Sequence, residues 1–124
     1  MIAADTSSIV AFLAGEEGDD VEVVQGALDH QQLVMPPVVL TELLSDPALP
    51  ARVRALLTAL PQLEIEPGYW ERAGLLRAAV LRQQRKARVA DALIAQSCLD
   101  QATPLVTRDK DFRHFAAAAG LALL

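Results

Sequence analysis

Residues 1–13 read Met1-Ile2-Ala3-Ala4-Asp5-Thr6-Ser7-Ser8-Ile9-Val10-Ala11-Phe12-Leu13, and the fold class turns on how this stretch divides. Ile2–Ala4 is a short apolar segment that stops at Asp5-Thr6-Ser7-Ser8, residues suited to helix N-caps, and the apolar run Ile9–Leu13 follows. The stretch reads as a strand feeding directly into a helix. The same grammar recurs along the chain. Gly15–Asp20 is a turn, and Asp19 or Asp20 can cap a helix to about His30. Leu33–Met35 is a second strand, stopped by Pro36-Pro37, with Pro37 in the first turn of a helix running through Leu44.

Asp46–Pro50 breaks the chain before a helix at Ala51–Leu60, and Leu63–Ile65 is expected to be a short edge strand closed by Pro67-Gly68. From Tyr69 to Gln83, Trp70, Ala73, Leu76, Ala79 and Val80 recur at helical spacing. That spacing predicts an amphipathic helix with Trp70 in the core or at an interface. A charged stretch, Gln83–Arg88, leads into a helix at Val89–Leu99, and Pro104–Thr107 is a strand. Asp109 or Asp111 caps a last helix through Ala119, and Gly120 ends it before an expected terminal strand, Leu121–Leu124. Alternating short, wholly apolar strands and helices predict an α/β fold with a mainly parallel central sheet covered on both faces. In such sheets functional groups collect beyond the carboxyl ends of the strands, where Asp5 and Asp109 fall.

The length of 124 residues suits one compact domain, 1–124, with no internal repeat or long linker. No apolar run approaches the ~20 residues of a membrane-spanning helix. With no basic leader and apolar run at the N-terminus, the expected location is the cytoplasm, away from membranes. Cys98 is the lone cysteine, which excludes an intrachain disulfide and a thiolate zinc cage. It reads as a small buried hydrophobe. The net charge of −5 conceals an asymmetry. Residues 1–66 carry eleven acidic and two basic side chains, whereas residues 67–124 carry nine basic and five acidic ones. A basic surface beside an acidic pocket would give that distribution, as would solvated helix faces.

Four acids stand out by position. Asp5 follows the first strand; its plain explanation is a helix cap, although Thr6, Ser7 or Ser8 could make that cap equally well. Glu42 lies on the short helix after the second strand and alone would read as a solvated carboxylate. Asp91 sits inside Val89-Ala90-Asp91-Ala92-Leu93-Ile94-Ala95, where a buried carboxylate needs a partner, a proton or a cation. The alternative is an exposed first-turn position favoured by the helix dipole. Asp109 and Asp111 follow the last internal strand. Were these acids to converge, two carboxylates ~4 Å apart would repel by about 4 kcal/mol at an effective dielectric near 20. A divalent cation resolves that conflict, and an all-oxygen pocket suits Mg²⁺ or Mn²⁺ rather than zinc.

Ile2-Ala3-Ala4-Asp5-Thr6-Ser7, Thr41-Glu42-Leu43, Ala90-Asp91-Ala92-Leu93-Ile94-Ala95 and Leu105-Val106-Thr107-Arg108-Asp109-Lys110-Asp111-Phe112 resemble, in order and spacing, the four acidic motifs of PIN domains. The resemblance spans essentially the whole chain, and in size it is similar to the VapC-type toxins of toxin–antitoxin pairs. It implies a three-layer α/β/α sandwich and an endoribonuclease that hydrolyses RNA phosphodiester bonds. Asp5, Asp91 and Asp109 would then be the metal ligands, with Glu42 binding metal or positioning the attacking water. Metal-assisted hydrolysis would lower the pKa of a bound water, orient it and stabilise the departing oxygen. Ser7 and Thr107 resemble the polar residues that support the acids, and Asp111 is an auxiliary acid or cap. The resemblance also implies a cognate antitoxin, a homodimer and inhibition of translation. The chain departs from the pattern at Lys86-Ala87-Arg88-Val89, where such toxins often carry a glycine, so the start of the third acid's helix is open.

Arg82, Arg85, Lys86 and Arg88, with Arg108, Lys110 and Arg113, could bind RNA phosphates, Arg88, Arg108 and Lys110 being those nearest the acids. The first group could equally be two solvated helix ends. Gly15-Glu16-Glu17-Gly18 lacks the downstream Lys-Ser or Lys-Thr of a phosphate-binding loop. His30 and His114 have no nearby nucleophile motif. Asp5-Thr6-Ser7 lacks the second aspartate that α/β phosphatases show. The remaining rival is a PIN-like module that binds RNA or protein without cutting, for which four mutually repelling acids have no use.

Overall fold

The computed structural model describes all residues, 1–124. Its elements run β1 (Ile2–Ala4), α1 (Thr6–Leu13), α2 (Asp19–Asp29), β2 (Leu33–Val34), α3 (Pro37–Leu44), α4 (Ala51–Ala59), α5 (Tyr69–Arg82), α6 (Val89–Asp100), β3 (Leu105–Val106) and α7 (Phe112–Ala119). The three strands form one parallel sheet in the order β2-β1-β3. Ile2 pairs with Leu33 and Ala3 with Val34 on one side of β1; Ala3 pairs with Leu105 and Ala4 with Val106 on the other. The predicted α/β fold with a parallel sheet is therefore the observed one.

Successive strand residues face opposite sides of a sheet. Ala3, Ala4, Leu33, Val34, Leu105 and Val106 are all buried, so both faces are covered. The strand order explains how. The chain moves from β1 to β2 in one direction and from β2 back past β1 to β3 in the other. Right-handed crossovers place the two connections on opposite faces. Accordingly α1 packs on α2, α5 packs on α6 and α7, and α3 touches both α1 and α6. Phe112 and Phe115 of α7, their ring centroids 5.9 Å apart, supply the largest fully buried side chains.

Three expectations need correction. The strand expected at Leu63–Ile65 is reduced to one parallel bridge, Met35 to Gln62, made by Met35 N–H to the Pro61 carbonyl and Leu63 N–H to the Met35 carbonyl. The terminal strand at Leu121–Leu124 is likewise a single bridge between Leu105 and Leu123. Prolines 61 and 67 bracket the first segment, and β3 is only two residues long, so neither edge offers a ladder to extend. Trp70 is 65% exposed and not core. The stripe is anchored instead by its neighbour: Tyr69 is buried, and its hydroxyl donates to the Leu93 carbonyl at 2.6 Å, joining α5 to α6. Burial pushes the Tyr69 phenol up to about 12. Cys98 is buried as expected, and burial pushes its thiol up to about 12. No helix is long and apolar enough to cross a membrane.

Candidate active site

Asp5 is the residue after the central strand, and it is 3% exposed. Both of its carboxylate oxygens accept hydrogen bonds. Oδ1 accepts from the Ser8 backbone N–H at 3.1 Å, which makes Asp5 itself the N-cap of α1. Ser7 Oγ donates to both carboxylate oxygens at 2.9 Å, and Thr107 Oγ1 donates to Oδ2 at 2.7 Å. The cap was open to Thr6, Ser7 or Ser8 on sequence, yet the structure gives it to Asp5. Burial raises its pKa above the ordinary carboxylate value, and the hydrogen bonds from Thr107, Ser8 and Ser7 act against that rise.

Thr107 is the hinge between two acids. Its hydroxyl donates to Asp5 and accepts from the Asp109 backbone N–H at 3.0 Å, so the end of β3 is keyed to the end of β1. Asp109 Oδ1 then accepts from the Asp111 N–H at 2.9 Å, closing a tight turn into α7. Asp111 occupies the N-cap position of α7 without a side-chain cap bond. Its carboxylate pairs with Lys86 at 3.8 Å. The two acids thus differ in surroundings: the charge of Asp109 acts on Asp5 and Asp91, and Asp111 pairs with a cation.

Asp91 stands in the first turn of α6, which begins at Val89 without the glycine of the family pattern. The side chain is half-buried, and desolvation raises its pKa to about 6, with Asp109, Asp5 and Glu42 adding to the rise and Arg88 opposing it. Asp109, Asp5 and Glu42 are thus each within electrostatic reach of Asp91. Glu42 is exposed on α3, and Thr6 Oγ1 donates to its Oε1 at 2.6 Å. Thr6, noted on sequence only as a possible cap, is a supporting residue that the reading missed. Its neighbour Asp5 is the only local signal, because nothing in the sequence pairs positions 36 residues apart.

No three His, Cys, Asp or Glu side chains stand close enough to hold a metal ion between them as they are. The chemistry of the donors still fits a hard divalent cation. Mg²⁺ keeps much of its water and is usually held by one or two carboxylates, and a mutually repelling, all-oxygen set with one half-buried acid favours a bound cation.

Arg108, a candidate for RNA phosphates on sequence, has acidic partners: its guanidinium forks onto Asp20, Nε to Oδ2 at 2.8 Å and Nη2 to Oδ1 at 3.0 Å, with Glu16 at 3.4 Å from Nη1. Ser8 Oγ donates to the same Asp20 Oδ2 at 2.9 Å. The fork lies against Gly18, whose φ of 150° favours glycine; a Cβ there would lie 3.1 Å from Nη2 and 2.6 Å from Asp20 Oδ1. The arrangement straps the loop carrying Thr107 and Asp109 to the start of α2. Arg108 holds the Asp20 carboxyl below its ordinary value. A depressed folded pKa contributes stability that is present above the unfolded value and lost as pH falls through the folded one. Arg108→Ala should therefore lower the melting temperature at pH 7, and the gap from wild type should narrow below about pH 4. A gap that stayed constant from pH 7 to pH 3 would mean that the strap does not act through the Asp20 charge.

Acids delivered by adjacent parallel strands to one sheet edge define an α/β protein with an oxygen-donor site at the strands' carboxyl ends. The chain belongs to the PIN domain family, whose model matches residues 2–118. VapC-type PIN domains are generally nucleases. Two solved structures share the fold. VapBC-5 of Mycobacterium tuberculosis, from the VapBC family of toxin–antitoxin systems, is 21% identical with a TM-score of 0.66, over 99% of this chain and 96% of that one. FitAcB of Neisseria gonorrhoeae is 19% identical with a TM-score of 0.67, over 100% of this chain and 96% of that one. No curated protein sequence matches.

Proposed function

We propose that this chain is a Mg²⁺-dependent endoribonuclease, with Mn²⁺ as an alternative ion. In this reading it acts as one domain, is the toxin of a toxin–antitoxin pair that inhibits translation, is cytoplasmic and dimeric, and is held inactive by a cognate antitoxin. The observation that carries the enzymatic part is the half-buried Asp91, whose pKa is raised to about 6 among Asp5, Glu42 and Asp109. Without a cation, such a grouping is a standing electrostatic cost. Family membership and the likeness to a toxin–antitoxin structure support the biological part.

In this reading Asp5, Asp91 and Asp109 hold the ion. When bound, a divalent ion supplies charge neutralisation and Lewis-acid activation of water at the phosphodiester. The chain's own residues do the positioning. Three donors fix the Asp5 carboxylate, so its orientation does not depend on the ligand. Thr107 sets the distance between the Asp5 and Asp109 segments. Glu42, with one oxygen held by Thr6, keeps the other to accept a proton from the attacking water. Arg88, exposed at the entry to α6, lies near enough to Asp91 to lower its pKa and would meet a phosphate in this reading.

The second reading, a PIN-like module that binds RNA or protein without cutting, is favoured by the spread of the acids, no three of which close on a common ion. Cleavage separates the two. Purified protein should cut RNA from a panel of single-stranded and structured substrates in Mg²⁺ or Mn²⁺ and leave it intact in EDTA. Folded, antitoxin-free protein that neither cuts nor binds either ion would defeat the nuclease reading.

A further inference from the structure

A polar cleft of about 420 Å³ is lined by Gln83, Arg85, Lys110, Asp111, Arg113, His114 and Ala117. Its two walls come from distant parts of the sequence: the loop after α5 and the first turns of α7. They are held together before any ligand arrives. His114 Nδ1 meets the Lys86 carbonyl at 3.1 Å, Lys86 Nζ pairs with Asp111 at 3.8 Å, and the Arg77 guanidinium donates from Nε to the carbonyl of buried Ala87 at 2.8 Å. The loop's one cation with an acidic partner is therefore Lys86.

Arg85, Lys110 and Arg113 are different. Each is exposed, and none has a carboxylate within 4.0 Å. The protein as a whole is acidic, at −5, and Arg108, which directly precedes Asp109, is neutralised by Asp20 and Glu16, whereas Arg88 beside Asp91 has no carboxylate within 4.0 Å either. The one acid that lines the cleft, Asp111, is already paired with Lys86, so the three unpaired cations are left to repel one another unless a further anion sits between them. Lys110 also directly follows Asp109, so the cleft and the acidic site join at Cα positions ~3.8 Å apart.

The geometry points to this cleft as a subsite for backbone phosphates of the RNA strand, flanking the scissile one, with Arg85, Lys110 and Arg113 as the contacts. The inference rests on the nuclease reading for its substrate and extends it by giving the strand a direction across the protein, from the acids towards the junction of α5 and α7. Phosphate contacts of this kind orient the strand and carry no base information. The cleft therefore contributes affinity rather than sequence choice.

Binding in EDTA tests the cleft without any cleavage. A fluorescently labelled twelve-nucleotide oligouridylate would be titrated with wild-type protein and with the triple variant Arg85→Gln, Lys110→Gln, Arg113→Gln, at 50 to 200 mM salt. Each lost contact to a single strand removes roughly 0.7 from the slope of log affinity against log salt. The triple variant should thus lose about two units of slope, and the wild type should lose roughly 20-fold more affinity than the variant across that salt range. All three residues are exposed, and unchanged circular dichroism and melting would confirm folding. An Arg54→Gln variant on α4 should bind as the wild type does. Equal slopes for wild type and triple variant would overturn the subsite, as would equal competition by an oligoglutamate of the same length. A protein that binds RNA through the cleft yet never cuts it would sink the nuclease reading alone, and cutting unaffected by the triple variant would sink the cleft alone.

Discussion

Asp91→Asn should abolish metal-dependent RNA cleavage, by 10³-fold or more, and at the same time make the metal-free protein more stable. The two effects share one cause. The folded carboxyl titrates near 6 against an ordinary value of 3.8, so the unfolded chain ionises first as pH rises. Between those values the folded state binds more protons than the unfolded one, and stability falls with rising pH. Above about pH 6 both states are charged and the folded state carries the whole desolvation and repulsion cost. Each pKa unit corresponds to about 1.4 kcal/mol, and the half-exposed position and the favourable first-turn location reduce the benefit of removal to roughly 1–2 kcal/mol. In EDTA at pH 7.5 the variant should melt about 3–8 °C higher than wild type, and at pH 4 the advantage should be gone. Adding Mg²⁺ should raise the wild-type melting temperature and leave the variant unmoved, because only a ligand that prefers the native state stabilises it. A variant less stable than wild type at pH 7.5 in EDTA would mean that Asp91 is an ordinary helix-dipole residue.

Asp5→Ala should give the opposite stability result with the same loss of cleavage. Here the carboxylate is the acceptor for Ser7, Thr107 and the Ser8 backbone. Its removal takes away the cap of α1, worth about 1 kcal/mol, and leaves two hydroxyls at a 3%-exposed position without their acceptor, about 1–3 kcal/mol more. The relief of a buried charge offsets part of this, and the expected net loss is roughly 2–3 kcal/mol. Asp5→Asn retains one acceptor oxygen and should lose about half as much. Differential scanning calorimetry of the pair, each at pH 7.5 without metal, distinguishes the roles: if Asp5→Ala were as stable as wild type, the hydrogen-bonded cluster would not be holding β1 to β3.

The contrast between these two acids also marks what sequence discloses. The β-α alternation was readable from Ile2–Ala4, Leu33–Met35 and Pro104–Thr107 because short apolar runs ended by capping residues or proline leave few other conformations. Asp5 and Asp109 followed from those strands. The segments at Leu63–Ile65 and Leu121–Leu124 have the same composition, yet strand formation needs a partner edge, and the short β2 and β3 offer one bridge each. Partnerships across the chain were the other gap. Arg108 looked free beside Asp109, but its fork belongs to Asp20, 88 residues earlier. Trp70 fitted an apolar stripe whose members Ala73, Leu76 and Val80 are buried, but at its start the buried aromatic is Tyr69, one position away.

The Thr107 hydroxyl that links Asp5 to the Asp109 segment spans 102 residues of chain. On a ribosome adding ~5–20 residues per second, roughly 5–20 s pass between the appearance of the first acid and that of the residue that completes its setting. Throughout that interval the growing polypeptide carries Asp5, Glu42 and then Asp91 with no β3 beside β1. An unfinished chain, or one clipped before Leu105, lacks both the Thr107 hydroxyl that holds Asp5 and the strand that carries Asp109, so the setting of the first acid is completed only by the end of the molecule.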